Sequence, residues 1–258
     1  MSAPPWVLLR GLTREQRHWG AFPADLAAAF PNAPVVTLDL PGNGALNGMQ
    51  SPVRVDAMAA FCRAELSARG IVPPYRVLAM SLGAMVTSAW CGAQRGEIAD
   101  AVLINTSLRP FSPMHQRLKP SGSLLRLALS SRDPVAWERA VLALTSNTPR
   151  RDGDDDDGDA LVRQWTAYRR ERPVSAANAV RQLWAAARFV APRTPPCERV
   201  LLLTSARDRL VDTRCSLALA RAWHCALESH PWAGHDLPLD DPGWVIDALR
   251  RRFEKPST

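Results

Sequence analysis

The sequence predicts an α/β protein with a mostly parallel sheet of about six strands and helices on both faces. Short runs rich in Val, Leu and Ile alternate with longer amphipathic segments, the pattern of a parallel α/β sheet. The runs are nearly continuous in apolar residues, as expected of strands covered on both faces. The 258 residues, 47% of them hydrophobic, suffice for one well-filled globular unit.

The predicted strands and core helices alternate along the chain. We expect strands near Trp6–Arg10, Val35–Leu40, Arg76–Met80, Ala101–Asn105, Arg199–Thr204 and Cys225–Ser229. The core helices are predicted near Trp19–Ala29, Val55–Arg69, Leu82–Gln94, Thr213–Trp223 and Trp244–Phe253. Ligands of open α/β sheets bind at the carboxyl ends of the strands, so polar residues that follow these strands are the first candidates for a functional site.

A long interval, residues 109–196, interrupts the alternation, and we predict that it forms a four-helix lid over the carboxyl edge of the sheet. Residues 1–108 and 197–258 then make up the core. The helical patterns of the lid are Ser123–Ser130, Pro134–Leu144, Ala160–Arg170 and Ala176–Phe189. The Asp-rich run Asp152–Asp159 is predicted to be a solvated, mobile loop, because its spacing lacks the distal glutamate of an EF-hand calcium loop.

Composition narrows the function classes and the compartment. The net charge of +7 is interpreted as arginines spread over solvated faces, with an acidic carrier protein as the alternative partner. Nucleic acid is not expected, because no basic stripe interleaved with aromatic residues is present. No apolar run approaches the ~18 residues of a membrane span, and the N-terminal residues do not resemble a secretory signal. The five cysteines are odd in number and lack metal-ligand spacing, so we expect free thiols in a reducing cytoplasm and no metal.

One serine stands where a strand is predicted to turn abruptly into a helix. An apolar run from Val77 leads to Ser81, and a helical pattern begins directly behind it. Small residues, Ala79 and Gly83, stand two positions on either side, where bulky side chains would collide in such a turn. A serine held this way is exposed above the sheet and can attack a carbonyl carbon once a base takes its proton.

Candidates for the base and for its orienting acid follow two later strands. Asp208 comes after the fifth predicted strand and His235 after the sixth, which gives the chain order Ser81, Asp208, His235. Asp212 is the competing acid, although it falls where the next helix needs an N-cap. The fourth strand ends at Asn105, so that strand end offers no carboxylate.

Together these motifs resemble the α/β-hydrolase superfamily over nearly the whole chain. Gly11-Leu12 after the first strand is similar to the family's oxyanion loop, and Asp39–Gly44 is similar to its Asp-x-Pro-Gly-x-Gly turn. The resemblance implies the strand order 2-1-3-4-5-6, a catalytic triad of Ser81, Asp208 and His235, and no metal or cofactor. It also implies that the oxyanion hole uses the backbone N–H groups of Leu12 and Leu82.

The chain departs from the family pattern at two positions. Ala79 replaces the first glycine of the turn, and the extra methyl group is small enough to be tolerated. Arg10 stands where the family more often has a histidine before Gly11. That arginine either supports the loop or reaches a carboxylate or phosphate of the substrate.

The sequence therefore predicts a serine hydrolase that cleaves a carboxylic ester or thioester through an acyl-enzyme. Trp19 and Trp232 lie close enough in sequence to the site to line its pocket. Within the superfamily the chain most resembles small carboxylesterases such as the pimeloyl-carrier methyl ester esterase. Three alternatives remain open: a carrier-linked acyl substrate, a lyase that uses the same triad, and a catalytically silent binding protein. A carrier would meet lid arginines, namely Arg163, Arg169, Arg170, Arg181 and Arg188.

Overall fold

The sheet of the computed structural model, which describes residues 3–119, 133–148 and 155–253, has six strands. The strands are β1 (Trp6–Leu9), β2 (Val35–Leu38), β3 (Tyr75–Met80), β4 (Ile98–Ile104), β5 (Arg199–Ser205) and β6 (Ala226–His230). Every neighbouring pair is parallel, and the spatial order is β2-β1-β3-β4-β5-β6. The predicted fold class and strand order are confirmed.

Helices connect the strands and cover both faces of the sheet. They are α1 (Phe22–Ala29), α2 (Val55–Ala68), α3 (Leu82–Ala93), α4 (Met114–Arg117), α5 (Pro134–Thr145), α6 (Asp155–Glu171), α7 (Ala176–Arg188), α8 (Thr213–Trp223), α9 (Leu237–Asp240) and α10 (Pro242–Phe253). The single-turn helices α4 and α9 were not predicted, because four residues are too few for a helical period to show. Within the described ranges, none of the helices has the length and apolar composition needed to cross a membrane.

Two apolar clusters, one on each face, hold the sheet between the helices. Along β1, Val7 and Leu9 belong to one cluster, while Trp6 and Leu8 belong to the other. All four side chains are fully buried. Successive side chains of a strand point to opposite faces, so burial at every position means that both faces are covered.

The interval between β4 and β5 is mainly helical and holds α4 to α7. Its two ends meet, because Arg109 and Val190 form an isolated parallel bridge and the N–H of Ala191 donates to the carbonyl oxygen of Arg109 (2.8 Å). The predicted helix Ser123–Ser130 lies outside the described residues. The domain boundaries at 109 and 196 remain a prediction.

The structure corrects the interpretation of the Asp-rich run as a loop. Helix α6 begins at Asp155, so residues 155–159 are helical, whereas residues 152–154 lie outside the described part of the chain. Acidic residues are favoured in the first turn of a helix, where free N–H groups concentrate positive charge. The loop prediction had left out this preference.

Candidate active site

Ser81 occupies a strained turn between β3 and α3. Its backbone has φ 51° and ψ −114°, a conformation that residues other than glycine rarely adopt. The turn is held on both sides: the N–H of Ser81 donates to the carbonyl oxygen of Ile104 (3.0 Å), and Ala84 N–H donates to the carbonyl oxygen of Ser81 (3.1 Å). The strain is therefore maintained by the strand on one side and the helix on the other.

Of the two small residues around Ser81, Gly83 is required by the close packing of α3 against β1. A Cβ atom on Gly83 would stand 2.7 Å from the carbonyl oxygens of both Leu9 and Arg10, closer than real carbon atoms approach. Ala79 lies within β3, fully buried and in register with Leu9. The structure accommodates its methyl group inside the sheet, as the sequence predicted.

His235 and Asp208 form a buried pair after β6 and β5. Nδ1 of His235 lies 2.7 Å from Oδ2 of Asp208, and both side chains are almost wholly buried. The other carboxylate oxygen, Oδ1, accepts hydrogen bonds from the N–H groups of Leu210 (2.7 Å) and Val211 (2.9 Å). A carboxylate only accepts hydrogen bonds, so the proton sits on Nδ1 and leaves Nε2 as the basic nitrogen.

Asp212, the competing acid, lies at the N-terminus of helix α8, where the sequence predicts a capping residue. Its side chain accepts from the N–H of Arg214 (2.9 Å) and caps helix α8. Hydrogen bonds from the Arg214 side chain lower the pKa of Asp212 to about 2. The structure thus pairs Asp208, and not Asp212, with His235.

The surroundings of His235 change its basicity in opposite directions. Burial disfavours the charged imidazolium, but the negative charge of Asp208 and its hydrogen bond outweigh burial, and the pKa of His235 is raised above 6.5. A raised pKa suits a group that must take a proton in one step and return it in the next.

Three anchors hold the loop that carries His235. The side chain of Asn105 donates from Nδ2 to the carbonyl oxygens of Gly234 (3.2 Å) and His235 (2.8 Å). The N–H of Gly234 donates to Oδ2 of Asp240 (2.6 Å), and the N–H of Asp236 donates to the carbonyl oxygen of Thr145 at the end of α5 (2.8 Å). Sequence reasoning noted Asn105 only as a strand end without a carboxylate and missed Asp240, because neither forms a local motif with His235.

The loop after β1, which the sequence predicts to carry the oxyanion hole, lies directly against Ser81. A Cβ atom on Gly11 would stand 3.1 Å from Cβ of Ser81 and 3.7 Å from its Oγ, so only a glycine fits there without displacement. Among the described residues, the N–H groups of Leu12 and Leu82 donate to no protein acceptor. Leu82 begins α3, where the helix dipole adds to the attraction for negative charge.

The three predicted triad residues lie at the ends of different strands, but one contact between them is not formed. The hydrogen bonds among described residues include none between Ser81 Oγ and His235. Catalytic hydrogen bonds commonly shorten only when the substrate binds, so this geometry is compatible with a nucleophile and its base.

Arg10 makes contacts that the sequence did not predict. Its Nη1 and Nη2 atoms donate to Oδ1 (3.0 Å) and Oδ2 (2.5 Å) of Asp236, the residue that follows His235. Both side chains are about 5% exposed. The guanidinium is engaged inside the protein, and the idea that it reaches an anion of the substrate is not supported.

The two tryptophans predicted to bind substrate have unlike surroundings. Trp19 is buried, stacks on Phe22 with ring centroids 5.6 Å apart, and lies under Arg10. Trp232 is partly buried and packs edge-on against His230 at 4.9 Å. Direct contact of either ring with substrate stays a prediction.

The arginines of the predicted lid also differ in their surroundings. Arg169 lies over the ring of Trp137 (4.5 Å) and 3.9 Å from Glu138, and Arg181 donates to the carbonyl oxygen of Ser51. These two are partly engaged within the protein, and a carrier contact stays a prediction. In residues 3–119, 133–148 and 155–253, no cluster of three or more His, Cys, Asp and Glu side chains is placed to hold a metal ion.

This fold, with a serine on a strained strand–helix turn and a histidine–carboxylate pair at the same sheet edge, defines an α/β hydrolase. The model of the alpha/beta hydrolase family matches residues 6–248, and the chain belongs to that family. No curated protein sequence matches the chain.

Solved structures with similar folds include proteins named as an esterase or a hydrolase. A thermophilic esterase from Thermogutta terrifontis aligns with a TM-score of 0.72 at 19% identity, over 97% of this chain and 89% of the esterase. The 2-hydroxy-6-oxo-6-phenylhexa-2,4-dienoate hydrolase from a Rhodococcus species aligns with a TM-score of 0.74 at 20% identity, over 98% and 91% of the two chains. A hydrolase from Pseudomonas aeruginosa gives 0.70 at 18% identity, over 98% and 90%. At these identities the likeness shows the fold.

Proposed function

We propose that this alpha/beta hydrolase cleaves a carboxylic ester or thioester by using Ser81 as the nucleophile, His235 as the base and Asp208 as its orienting acid. The observation that carries the proposal is the buried 2.7 Å contact between His235 Nδ1 and Asp208 Oδ2. Asp208 follows β5 and His235 follows β6, and the strained turn at Ser81 follows β3, so all three residues lie after strands of one parallel sheet. The esterase and hydrolase names of the similar structures support the reaction class.

The proposed reaction has two steps, formation of an acyl-enzyme and its hydrolysis. Nε2 of His235 takes the proton of Ser81 Oγ while Oγ bonds to the acyl carbon, and the N–H groups of Leu12 and Leu82 stabilise the resulting oxyanion. The imidazolium then protonates the leaving oxygen or sulfur as its bond to the acyl carbon breaks, so an alcohol or thiol departs and an acyl-enzyme remains. Water attacks the acyl carbon while His235 removes a proton from the water, the bond between the acyl carbon and Ser81 Oγ breaks, and the imidazolium returns the proton to Oγ as the carboxylic acid leaves.

A fluorophosphonate probe tests the nucleophile directly. We expect the wild-type protein to be labelled at Ser81 and the Ser81→Ala variant to remain unlabelled. Ser88→Ala is the matched control, because Ser88 is a buried serine of α3, the helix that begins directly after Ser81, and lies away from the turn. A folded wild-type protein that takes no label would reject the proposal and favour a binding protein without catalysis.

Product analysis separates hydrolysis from a lyase reaction on the same residues. Hydrolysis in water enriched in oxygen-18 places one labelled oxygen in the acid product, because water attacks the acyl carbon. A lyase product would lack that oxygen. The substrate screen that precedes this test covers free esters of increasing acyl length, since residues of the lid are expected to set the length that fits.

The narrower likeness to pimeloyl-carrier methyl ester esterases is tested by comparing carrier-bound and free acyl esters. Basic lid residues would attract an acidic carrier, and added salt would then slow only the carrier-bound reaction. Equal rates for both substrates that do not respond to salt would reject the carrier and leave a small-molecule ester as the substrate.

A further inference from the structure

The buried ion pair of Arg10 and Asp236 joins parts of the site that are far apart in the chain. Arg10 directly follows β1 and precedes Gly11 of the proposed oxyanion loop, while Asp236 directly follows His235. The two hydrogen bonds between the guanidinium and the carboxylate, 3.0 and 2.5 Å long, form a two-pronged contact. Such contacts define direction as well as distance.

The same guanidinium also reaches the nucleophile segment. Nη1 of Arg10 lies 3.3 Å from Sδ of Met80, the residue before Ser81, and the guanidinium carbon lies 4.8 Å above the ring of Trp19. The Arg10 side chain therefore contacts both Met80, which precedes the proposed nucleophile, and Asp236, which follows the proposed base. The backbone of Arg10 leads into the proposed oxyanion loop.

We propose that Arg10 and Asp236 form a positioning pair, which holds the imidazole of His235 at a fixed position relative to Ser81 and to the oxyanion loop. This inference rests on the proposed hydrolase function. Neither side chain needs to touch the substrate, since both are almost fully buried. The pair acts on the base through the backbone at Asp236 and through its charges.

Arginine suits this position better than lysine would. Its planar, permanently charged fork can bind both carboxylate oxygens of Asp236 and still pack flat against an aromatic ring. A lysine would supply the same charge at a single point. The comparison of these two residues therefore separates the geometric part of the contact from its charge.

Among the described residues, the charged groups that act on His235 are Asp208 from the loop after β5, Asp236 from its own loop and Arg10 from the residue after β1. Lys119 lies one contact further away and donates to the backbone carbonyl oxygen of Asp208. The Asp236 charge raises the pKa of His235, and the Arg10 charge lowers it. Removal of either partner leaves the charge of the other uncompensated beside the imidazole.

The test uses the variants Arg10→Met, Arg10→Lys, Asp236→Asn and the double variant Arg10→Met with Asp236→Asn. The control is Arg76→Met, which removes another contact between an arginine and an aspartate, since Arg76 Nε lies 3.0 Å from Asp100. Arg76 lies near the amino end of β3, whereas Ser81 follows the carboxyl end of that strand. The measurements are kcat and KM on an ester that the wild type hydrolyses, the melting temperature, and the NMR titration of His235.

We expect kcat to fall about 100-fold in Arg10→Met and in Asp236→Asn, the size of effect that a misplaced catalytic group produces. The double variant should lose no more than the worse single variant, because the residues act as a unit. The titration midpoint of His235 should rise in Arg10→Met and fall in Asp236→Asn. Arg10→Lys should lose activity with a midpoint close to that of the wild type, and Arg76→Met should lower only the melting temperature.

Folded variants with wild-type kcat, KM and His235 midpoint, but a lowered melting temperature, would overturn the inference and leave the pair a structural contact. If Arg10→Met does not fold, Asp236→Asn and Arg10→Lys decide the question. Failure of the wild type to take a fluorophosphonate label would instead reject the proposed function. The His235 titrations would then still test whether the pair acts on that imidazole, and unchanged midpoints would contradict it.

Discussion

Gly234 lies so close to Thr145 that a Cβ atom at residue 234 would stand 2.6 Å from the Thr145 carbonyl oxygen. The same oxygen accepts the N–H of Asp236 (2.8 Å). The end of α5 therefore packs directly on the loop that carries His235. The interval between β4 and β5 therefore contributes to the position of the proposed base.

Gly234→Ala should consequently disturb the base and the lid contact together. The added methyl group would meet backbone atoms, which cannot rotate away, so we expect a loss of about 1–3 kcal/mol in unfolding free energy and a lower kcat. Gly48→Ala is the control, because a Cβ atom at Gly48 would have no atom within 4 Å. Denaturant unfolding and ester hydrolysis measure both effects. An alanine at residue 234 that leaves stability and kcat unchanged would show that the two segments can separate freely.

Asp208 and Asp212 offer a matched pair, since they are four residues apart and differ in what they bind. Asp208→Ala should lower kcat by about 10⁴, because His235 loses the partner that sets its tautomer and orientation. Asp212→Ala should keep kcat and lower stability by about 1 kcal/mol through loss of the α8 cap. Steady-state kinetics and thermal unfolding of both variants check this. Similar kcat values in the two variants would contradict the assignment of Asp208.

The raised pKa of His235 predicts the pH dependence of the reaction. The base must be neutral to accept the Ser81 proton, so kcat/KM should rise with pH through a midpoint above 6.5. The folded state also binds this proton more tightly than the unfolded chain does. The stabilisation is therefore complete below a pH of about 6.5 and is lost as the pH rises through the folded pKa. In Asp208→Ala, burial acts without its main opposing charge, and the midpoint should move to lower pH. A wild-type midpoint below 6.5 would contradict this account.

Much of the fold could be predicted because its signals are local. Buried strands such as β3 are apolar at nearly every position, and the turn at Ser81 needs small residues at fixed offsets. Asp212 was expected to cap a helix, and it does so. The prediction of a loop for the Asp-rich run is wrong from Asp155 onward, where the chain is helical, because acidic residues also favour the first turn of a helix.

The contacts of the candidate site could be predicted only in part. Chain order and strand ends indicated that Ser81, Asp208 and His235 would gather at one edge of the sheet. They did not indicate the contact of Asn105, whose side-chain amide donates to the carbonyl oxygens of Gly234 and His235. Such a contact spans about 130 residues of chain, and no periodicity carries information about it.

The sequence by itself determined the α/β class, the strand order implied by its family resemblance and the identity of the candidate nucleophile, acid and base. The class and the candidate residues follow from hydrophobic periodicity and from residue types at strand ends, both of which are local in the chain, whereas the strand order follows from the resemblance. Only the tertiary structure decided that Asp208 meets His235, that Thr145 of the lid interval supports the base, and that Arg10 turns inward to Asp236. Burial and hydrogen-bond direction decide those contacts, and they exist only after distant segments have packed together.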